Sequence, residues 1–208
     1  MAAILATSLV APCVPAPGVA EVGARTKVAD VLILGDSVGS VLKWAGASMR
    51  PFWDGRYNVT LETWGCQALL RPGCRNGKPI PAIDEIAQHR NDGIDVVVVM
   101  TGYNDVGPET IRVAMRKISR ASQSIGAHVI WLTYRESGNV KVKNRAFNKV
   151  VRAEDERLEN VSVLDWEKIS RRKRNWFSGD NVHMTGAGGL QLARQIRKAL
   201  NRHFGLST

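Results

Sequence analysis

The sequence predicts an α/β fold built on a five-stranded parallel sheet with helices on both sides. Short aliphatic and β-branched runs alternate with amphipathic segments from residue 30 onward, and this alternation is typical of parallel sheets. The run "VVVV" within residues 94–102 has no polar alternation, which indicates a strand covered on both faces. With 208 residues and 44% hydrophobic content, the chain can bury one sizeable core, so we expect a single domain.

Each predicted strand is a short β-branched run, and each predicted helix is an amphipathic segment that follows one. The predicted strands are "DVLILG" (30–35), "YNVTLE" (57–62), "IDVVVVMTG" (94–102), "HVIWLTY" (128–134) and "VSVLDW" (161–166). The predicted helices that follow them, in the same order, span 38–50, 80–91, 108–125, 142–158 and 186–203.

Residues 1–24 differ from the rest of the sequence. They contain no Lys or Arg and one acid, Glu21, and their apolar stretch runs into Pro- and Gly-rich sequence with small residues before candidate cleavage points. We therefore predict a secretory signal peptide over 1–24 and one domain over 25–208. A disordered N-terminal segment is the alternative. No later run reaches the roughly 18 apolar residues of a membrane span, so we expect a soluble mature chain.

The charge balance favours an anionic partner. The formal net charge is +10, which suits nucleic acid, a membrane surface or an acidic cell-wall polymer. No nucleic-acid-binding motif accompanies the charge, so nucleic acid is not favoured. A solvated basic surface without a specific partner is the alternative.

The three cysteines bear on the cellular compartment. Cys13 lies in the predicted signal peptide, which leaves Cys66 and Cys74 in "GCQALLRPGC". An even number in an exported chain favours a disulfide, whose short loop contributes on the order of 2 kcal/mol. Two free thiols in a cytosolic protein are the alternative. No histidine stands close to these thiols in the sequence to complete a metal site, so we expect no metal.

A polar cluster follows the first strand. Gly35, Asp36 and Ser37 come directly after the aliphatic run, and open parallel sheets bind ligands outside the carboxyl ends of their strands. We expect Ser37 on the first turn of a helix, with its backbone N–H directed at negative charge on a bound acyl group. The alternative is that Ser37 or Asp36 merely caps the helix.

Three further fragments are predicted to lie at the same edge of the sheet. Gly65 follows the second strand, Asn104 follows the third in "MTGYND", and "GDNVHMTGAG" opens the last helix with Asp180 three residues before His183. Such a rim is where an active site on this fold is expected.

These residue types supply the parts of a serine hydrolase. A serine is a poor nucleophile until a base removes its proton, and the base works best when a third group holds its tautomer. We predict Ser37 as nucleophile, His183 as base through Nε2, and Asp180 as the acceptor of the Nδ1 proton.

The predicted oxyanion hole consists of the Ser37 N–H, the Gly65 N–H and the Asn104 amide. Loss of one such donor typically costs about 2.7–4 kcal/mol of barrier stabilisation. We expect two further carboxylates to support the site: Asp36 holds the turn beside the nucleophile, and Asp105 orients its neighbours.

The fragments together resemble the SGNH (GDSL-type) hydrolase family, whose four named residues match Ser37, Gly65, Asn104 and His183. Val38 stands where the GDSL name has Leu, at a position expected to pack rather than react. The resemblance implies a flavodoxin-like three-layer α/β/α sandwich and activity on acyl esters of carbohydrates, lipids or small molecules. The segment "WGCQALLRPGC" is similar to that of exported acyltransferase-linked members.

We therefore expect a serine esterase, secreted or in the cell envelope, that cleaves short-chain esters on carbohydrates or small molecules through an acyl-Ser37 intermediate and needs no cofactor. A cytoplasmic enzyme is the alternative location. The functional alternatives are an O-acyltransferase acting on cell-wall glycan and a catalytically silent module that binds an anionic polymer.

Residues 35–39 also match G-x-S-x-G, the nucleophile elbow of α/β-hydrolases. That elbow normally follows several strands, and its acid usually lies well before the histidine. Here Ser37 follows the first strand and Asp180 lies three residues from His183, so this alternative is not favoured.

Overall fold

The computed structural model describes residues 28–53, 55–74, 76 and 78–207. The predicted signal peptide over 1–24, including Cys13, lies outside the described residues.

Five parallel strands form one sheet in the order β2-β1-β3-β4-β5. They are β1 Ala29–Gly35, β2 Tyr57–Thr63, β3 Val96–Val99, β4 His128–Leu132 and β5 Val161–Leu164. The register pairs Val31 of β1 with Val59 of β2 on one side and with Val96 of β3 on the other. The predicted five-stranded parallel sheet is therefore confirmed.

Helices cover both faces of the sheet, which gives three layers. They are α1 Val41–Trp44, α2 Gly46–Trp53, α3 Ala82–Gln88, α4 Pro108–Ser124, α5 Lys141–Asp155, α6 Trp166–Ser170 and α7 Gly186–His203. Successive strand side chains point to opposite faces, so Val31 and Ile33 pack with α1, α2 and α7. Leu32 and Leu34 pack with α3, α4 and α5 on the other face.

The segment after β1 differs from the predicted helix over 38–50. Residues 37–40 form a turn, and α1 and α2 are separated at Ala45. The turn is tight because Asp36 Oδ1 accepts the Val38 N–H at 3.0 Å and the Asp36 carbonyl accepts the Ser40 N–H at 3.1 Å. A Cβ on Gly39 would lie 3.1 Å from the Gly35 Cα, so the turn packs closely against β1 and a larger residue would require the backbone to shift.

Three predicted strands also end earlier than expected, and the one predicted over 128–134 ends at Leu132. The strand predicted over 94–102 ends at Val99, because the N–H groups of Gly102 and Tyr103 are bound by a side chain rather than by a strand. The strand predicted over 161–166 ends at Leu164, because Asp165 caps α6 by accepting the Lys168 N–H at 3.1 Å. The hydrophobic pattern did not separate this short helix from the strand before it.

The structure contains the Cys66–Cys74 disulfide, with the two Cα atoms 5.7 Å apart. It lies in the long connection between β2 and α3, directly after Gly65. Within the described ranges, none of the helices has the length and apolar character needed to cross a bilayer.

Candidate active site

The carboxyl ends of β1 and β3 meet the loop before α7 around an open cavity of about 430 Å³. Four of the predicted site residues line it: Ser37, Asn104, Asp180 and His183. They come from three segments that are far apart in the chain, and the parallel topology brings these segments to one edge of the sheet.

Ser37, His183 and Asp180 form a continuous hydrogen-bonded relay. The Ser37 Oγ lies 3.0 Å from His183 Nε2, and His183 Nδ1 lies 2.6 Å from Asp180 Oδ2. The side chains of His183 and Asp180 are 48% and 47% exposed. The relay is therefore open to solvent and substrate.

A closed loop holds Asp180 in place. A β-bridge pairs Phe177 with Met184 across the base of the loop. Within it, Asp180 Oδ1 accepts the Ser178 hydroxyl at 2.8 Å and the N–H groups of Val182 and His183 at 2.9 and 3.0 Å. One carboxylate oxygen is thus occupied by the loop, which leaves the other for the imidazole.

The same contacts keep Asp180 ionised. Burial raises the pKa of Asp180, but the hydrogen bonds from His183, Val182 and Ser178 outweigh it and hold the pKa well below its usual range. An ionised carboxylate only accepts hydrogen bonds, so it selects the His183 tautomer with its proton on Nδ1. Nε2 then carries the lone pair that faces Ser37.

Asp36 connects the serine turn to the loop after β3. Its side chain is fully buried, and Oδ2 accepts the N–H groups of Gly102 and Tyr103 at 3.1 and 2.9 Å while Oδ1 accepts that of Val38. Gly102 has φ of +136°, and a Cβ there would overlap the Tyr134 ring. Desolvation by burial raises the pKa of Asp36 to about 6, against the lowering effect of these three N–H groups.

Two of the three predicted oxyanion donors lie on the cavity that contains the relay. Asn104 donates one amide hydrogen to the Gln67 carbonyl at 2.9 Å, and its second amide hydrogen has no acceptor among the described residues. The Ser37 N–H also donates to no group in the described part of the protein.

The third predicted donor, Gly65, lines a second cavity and not the first. The structure still places it beside the serine segment, because the Trp64 N–H donates to the Gly35 carbonyl at 2.8 Å. Its own N–H has no acceptor within the described ranges.

Asp105 is buried behind Asn104. Its Oδ2 accepts the Leu69 N–H at 3.0 Å, and burial raises its pKa. The contact joins the loop after β3 to the connection that carries Gly65. Asp105 therefore lies behind the site and does not line its cavity.

Ser37 does not stand on a helix as expected. It lies in the turn at 37–40, and α1, which begins at Val41, has only four residues. The dipole of so short a helix is small. The helix dipole expected at Ser37 is therefore weak, and the Ser37 N–H stays unpaired among the described residues.

Arg135 and Gly138 belong to the site but were missed by the sequence reasoning. The buried Arg135 guanidinium donates to the carbonyls of Asn181 and Ser170, each at 2.7 Å, and its Cζ lies 3.7 Å from the centroid of the Phe177 ring. A Cβ on Gly138 would lie 2.6 Å from the Asp180 carbonyl oxygen. Both residues lie against the loop that carries Asp180. The sequence carries no signal for this contact, because it forms only between segments that meet in the folded chain.

Among the described residues, no group of three or more His, Cys, Asp or Glu side chains is arranged to hold a metal ion. The cavity itself brings together a serine hydroxyl, an imidazole and a carboxylate, with the Asn104 amide on the same wall.

No protein-family model matches the sequence, and comparison with curated proteins finds no significant match. Solved structures do match. TesA superposes with a TM-score of 0.66 at 16% identity, over 83% of this chain and 98% of TesA. A carbohydrate esterase of family 3 from Talaromyces cellulolyticus gives 0.63 at 17% identity, over 85% and 98%.

A protein assigned as an SGNH hydrolase, from Slackia heliotrinireducens, gives a TM-score of 0.63 at 17% identity, over 84% of this chain and 100% of that one. The likeness spans nearly the whole length of each of these structures. At such identities it establishes the fold, and the chain therefore has the three-layer α/β/α fold of the SGNH hydrolases, as the sequence predicted.

Proposed function

We propose that the protein is a serine esterase that cleaves acyl esters through a covalent acyl-Ser37 intermediate. The observation that carries this proposal is the unbroken relay from the Ser37 Oγ to His183 and on to Asp180, at 3.0 and 2.6 Å. These distances are within the reach that proton transfer requires.

The first half of the reaction forms the acyl-enzyme. His183 Nε2 takes the Ser37 proton as the Oγ attacks the ester carbonyl carbon, and Asp180 stabilises the imidazolium that results. Negative charge on the carbonyl oxygen is met by the N–H groups of Ser37 and Gly65 and by the Asn104 amide. The imidazolium then protonates the leaving alcohol as the carbon–oxygen bond to it breaks.

The second half regenerates the enzyme. Water gives a proton to His183 as its oxygen attacks the acyl carbon, the bond to Ser37 breaks, and the proton passes back to the Oγ. Because the imidazole is about half exposed, water reaches it without a conformational change. The access of water favours hydrolysis. Transfer of the acyl group to a glycan hydroxyl is favoured instead when water, which competes for the acyl-enzyme, is excluded.

The complete relay also argues against a catalytically silent polymer-binding module, since binding alone does not require a serine and a histidine at this distance. The titles of matching structures name an arylesterase, acetylxylan esterases and a carbohydrate esterase. These names support acylated carbohydrates or small esters as substrates. We place the activity in a single domain over 25–208.

We further propose that the protein is exported. A disulfide persists in oxidising compartments and is rare in the cytosol, and the Cys66–Cys74 bridge lies beside the site. The apolar character of residues 1–24 supports a signal peptide. Mass spectrometry of the protein secreted by its own host would show a mature chain that begins after Ala20 or Ala24.

The test of the activity is turnover of p-nitrophenyl acetate, butyrate and octanoate by the wild type and by Ser37→Ala and His183→Ala. We expect turnover by the wild type, fastest with acetate, and a loss of at least about 10³-fold in each variant. Equal turnover by wild type and Ser37→Ala would refute the proposal.

A further inference from the structure

A second cavity, of about 490 Å³, opens on the β2 side of the site and has no part in the reaction described above. We name it the Trp64 cavity after its one aromatic lining residue. It is lined by Glu62, Trp64, Gly65, Lys78, Pro79, Ile80, Glu85 and Gln88. Because Gly65 is a proposed oxyanion donor, a group held in this cavity lies next to the reacting ester.

The indole of Trp64 is exposed but held in place. Its side chain is 45% exposed, and its Nε1 donates to Glu62 Oε2 at 2.8 Å. The Lys43 ammonium lies 3.6 Å from the ring centroid, and Lys43 does not line the cavity. Trp64 therefore lines the cavity, while Lys43, which lies over its ring, does not. A fixed, exposed aromatic surface is a platform for an apolar face of a ligand.

Glu85 provides an acceptor with unused capacity. It is only 4% exposed, yet it lines the cavity. Its Oε1 accepts from Gln67 Nε2 at 3.3 Å, and its Oε2 accepts no hydrogen bond from the described residues. This oxygen is not one of the fully buried atoms that lack a partner, so it is open to a donor from the cavity. A ligand hydroxyl would supply that donor.

The walls of the cavity are cross-linked to one another and to the site. The Gly73 N–H donates to the Pro79 carbonyl at 2.8 Å, and the disulfide from Cys74 to Cys66 joins that wall to the residue after Gly65. The hydrogen bond from the Trp64 N–H to Gly35 joins the other wall to the serine turn. A cavity built this way is largely preformed, as ligand sites usually are.

The charges around the cavity favour a neutral ligand. Glu62 and Glu85 oppose an anion, while Lys78 in the cavity wall and Lys43 over the Trp64 ring oppose a cation. An apolar platform beside carboxylate acceptors matches a neutral sugar ring. One face of a pyranose presents C–H groups, and its rim presents hydroxyl donors.

We propose that the Trp64 cavity binds a neutral pyranose ring of the substrate, which makes Trp64 and Glu85 determinants of specificity for sugar esters. This inference rests on the proposed esterase activity, narrows its substrates to esters of neutral sugars and assigns the residues that bind the sugar. The cavity has the volume for one such ring, and its position beside Gly65 places the ring next to the ester.

The first test compares kcat/KM for acetylated xylotriose and for p-nitrophenyl acetate, which has no sugar ring. Trp64→Ala and Glu85→Gln are expected to lose about 10-fold or more on the sugar ester and less than about 3-fold on the aryl ester. Trp64→Phe should regain a large part of the loss. Equal losses on both substrates, or none on the sugar ester, would overturn the inference.

Trp44→Ala is the matched control. Trp44 is also an exposed tryptophan, at 62%, but it lines neither cavity. Its replacement should leave the ratio of the two kcat/KM values unchanged. A change in that ratio as large as in Trp64→Ala would show that the effect does not come from the cavity.

The second test separates binding from catalysis. Calorimetric titration of Ser37→Ala with xylotriose should show saturable binding that weakens about 10-fold or more when Trp64→Ala is added. Trigalacturonate, an anionic probe, should bind at least about 10-fold more weakly than xylotriose. Absence of xylotriose binding, or binding unaffected by Trp64→Ala, would overturn the inference. A wild type inactive on both esters would instead refute the proposed esterase.

Discussion

Replacing Asp180 by Asn tests the relay because the surrounding loop decides which way the new amide points. At present Asp180 Oδ1 accepts two backbone N–H groups, from Val182 and His183. Only an oxygen can accept these bonds, so the amide oxygen of Asp180→Asn should take this position. The Nδ2 group must then face His183 Nδ1, where it donates a proton and requires Nδ1 to be an acceptor.

The predicted consequence is the wrong histidine tautomer. With Nδ1 deprotonated, the single proton of neutral His183 moves to Nε2, which can no longer accept the Ser37 proton. In Ser-His-Asp enzymes this change lowers kcat by about 10⁴-fold. The relay here is about half exposed, so water can replace part of the lost contact. We therefore expect about 10³-fold, or roughly 4 kcal/mol at 1.36 kcal/mol for each factor of ten.

The assay is kcat for p-nitrophenyl acetate between pH 5 and 9, with the histidine tautomer read by ¹⁵N NMR. Ser178→Ala is the matched control, because it removes one donor to Oδ1 and leaves the Nδ1 contact intact. It should lose less than about 10-fold, the scale of one ordinary hydrogen bond. Activity of Asp180→Asn within tenfold of the wild type across this pH range would refute the tautomer argument.

Three further predictions concern stability and the scaffold. Arg135→Met should lower the free energy of unfolding by about 2–4 kcal/mol in urea titration, because the carbonyls of Asn181 and Ser170 lose a buried donor; a change below about 0.5 kcal/mol would contradict this. Asp36 binds its proton more tightly when folded, since burial raises its pKa to about 6. The protonated Asp36 therefore stabilises the folded state by on the order of 3 kcal/mol. This stabilisation is complete below pH about 4 and is lost as the pH rises through 6. Urea titrations should show a decline that is smaller by this amount in Asp36→Asn than in the wild type, because other buried carboxyl groups such as Asp105 also have raised pKa values; equal pH dependence would contradict it. Reducing the disulfide, or replacing both cysteines in the double variant Cys66→Ser/Cys74→Ser, should lower the free energy of unfolding by about 2 kcal/mol. Unchanged thermal stability would contradict this prediction.

The sheet could be predicted because its strands have a strong one-dimensional signal. A run such as "VVVV" in β3 is buried on both faces, and only a central parallel strand satisfies that pattern. The ends of elements were harder to predict because tertiary contacts set them. The predicted first helix became a turn and two helices since the buried Asp36 carboxylate binds backbone groups from two segments, and no local pattern encodes such a bond.

The candidate site also contains residues that the sequence could predict and residues that it could not. Ser37, Asn104 and His183 follow strands or precede the last helix, so the parallel topology alone brings them to one edge. The second contact of the imidazole, with Asp180, was also expected from the three-residue spacing. Arg135 and the Trp64 cavity could not be predicted, because each depends on segments that approach one another only in the folded chain.

The most direct test of the central claim, that Ser37 is a nucleophile activated by His183, is labelling with a fluorophosphonate followed by peptide mass spectrometry. The account predicts one phosphonate adduct on Ser37 in the wild type, none on Ser37→Ala, and labelling slowed at least about 10³-fold in His183→Ala. An unlabelled wild type, or an adduct at another residue that persists in Ser37→Ala, would contradict it.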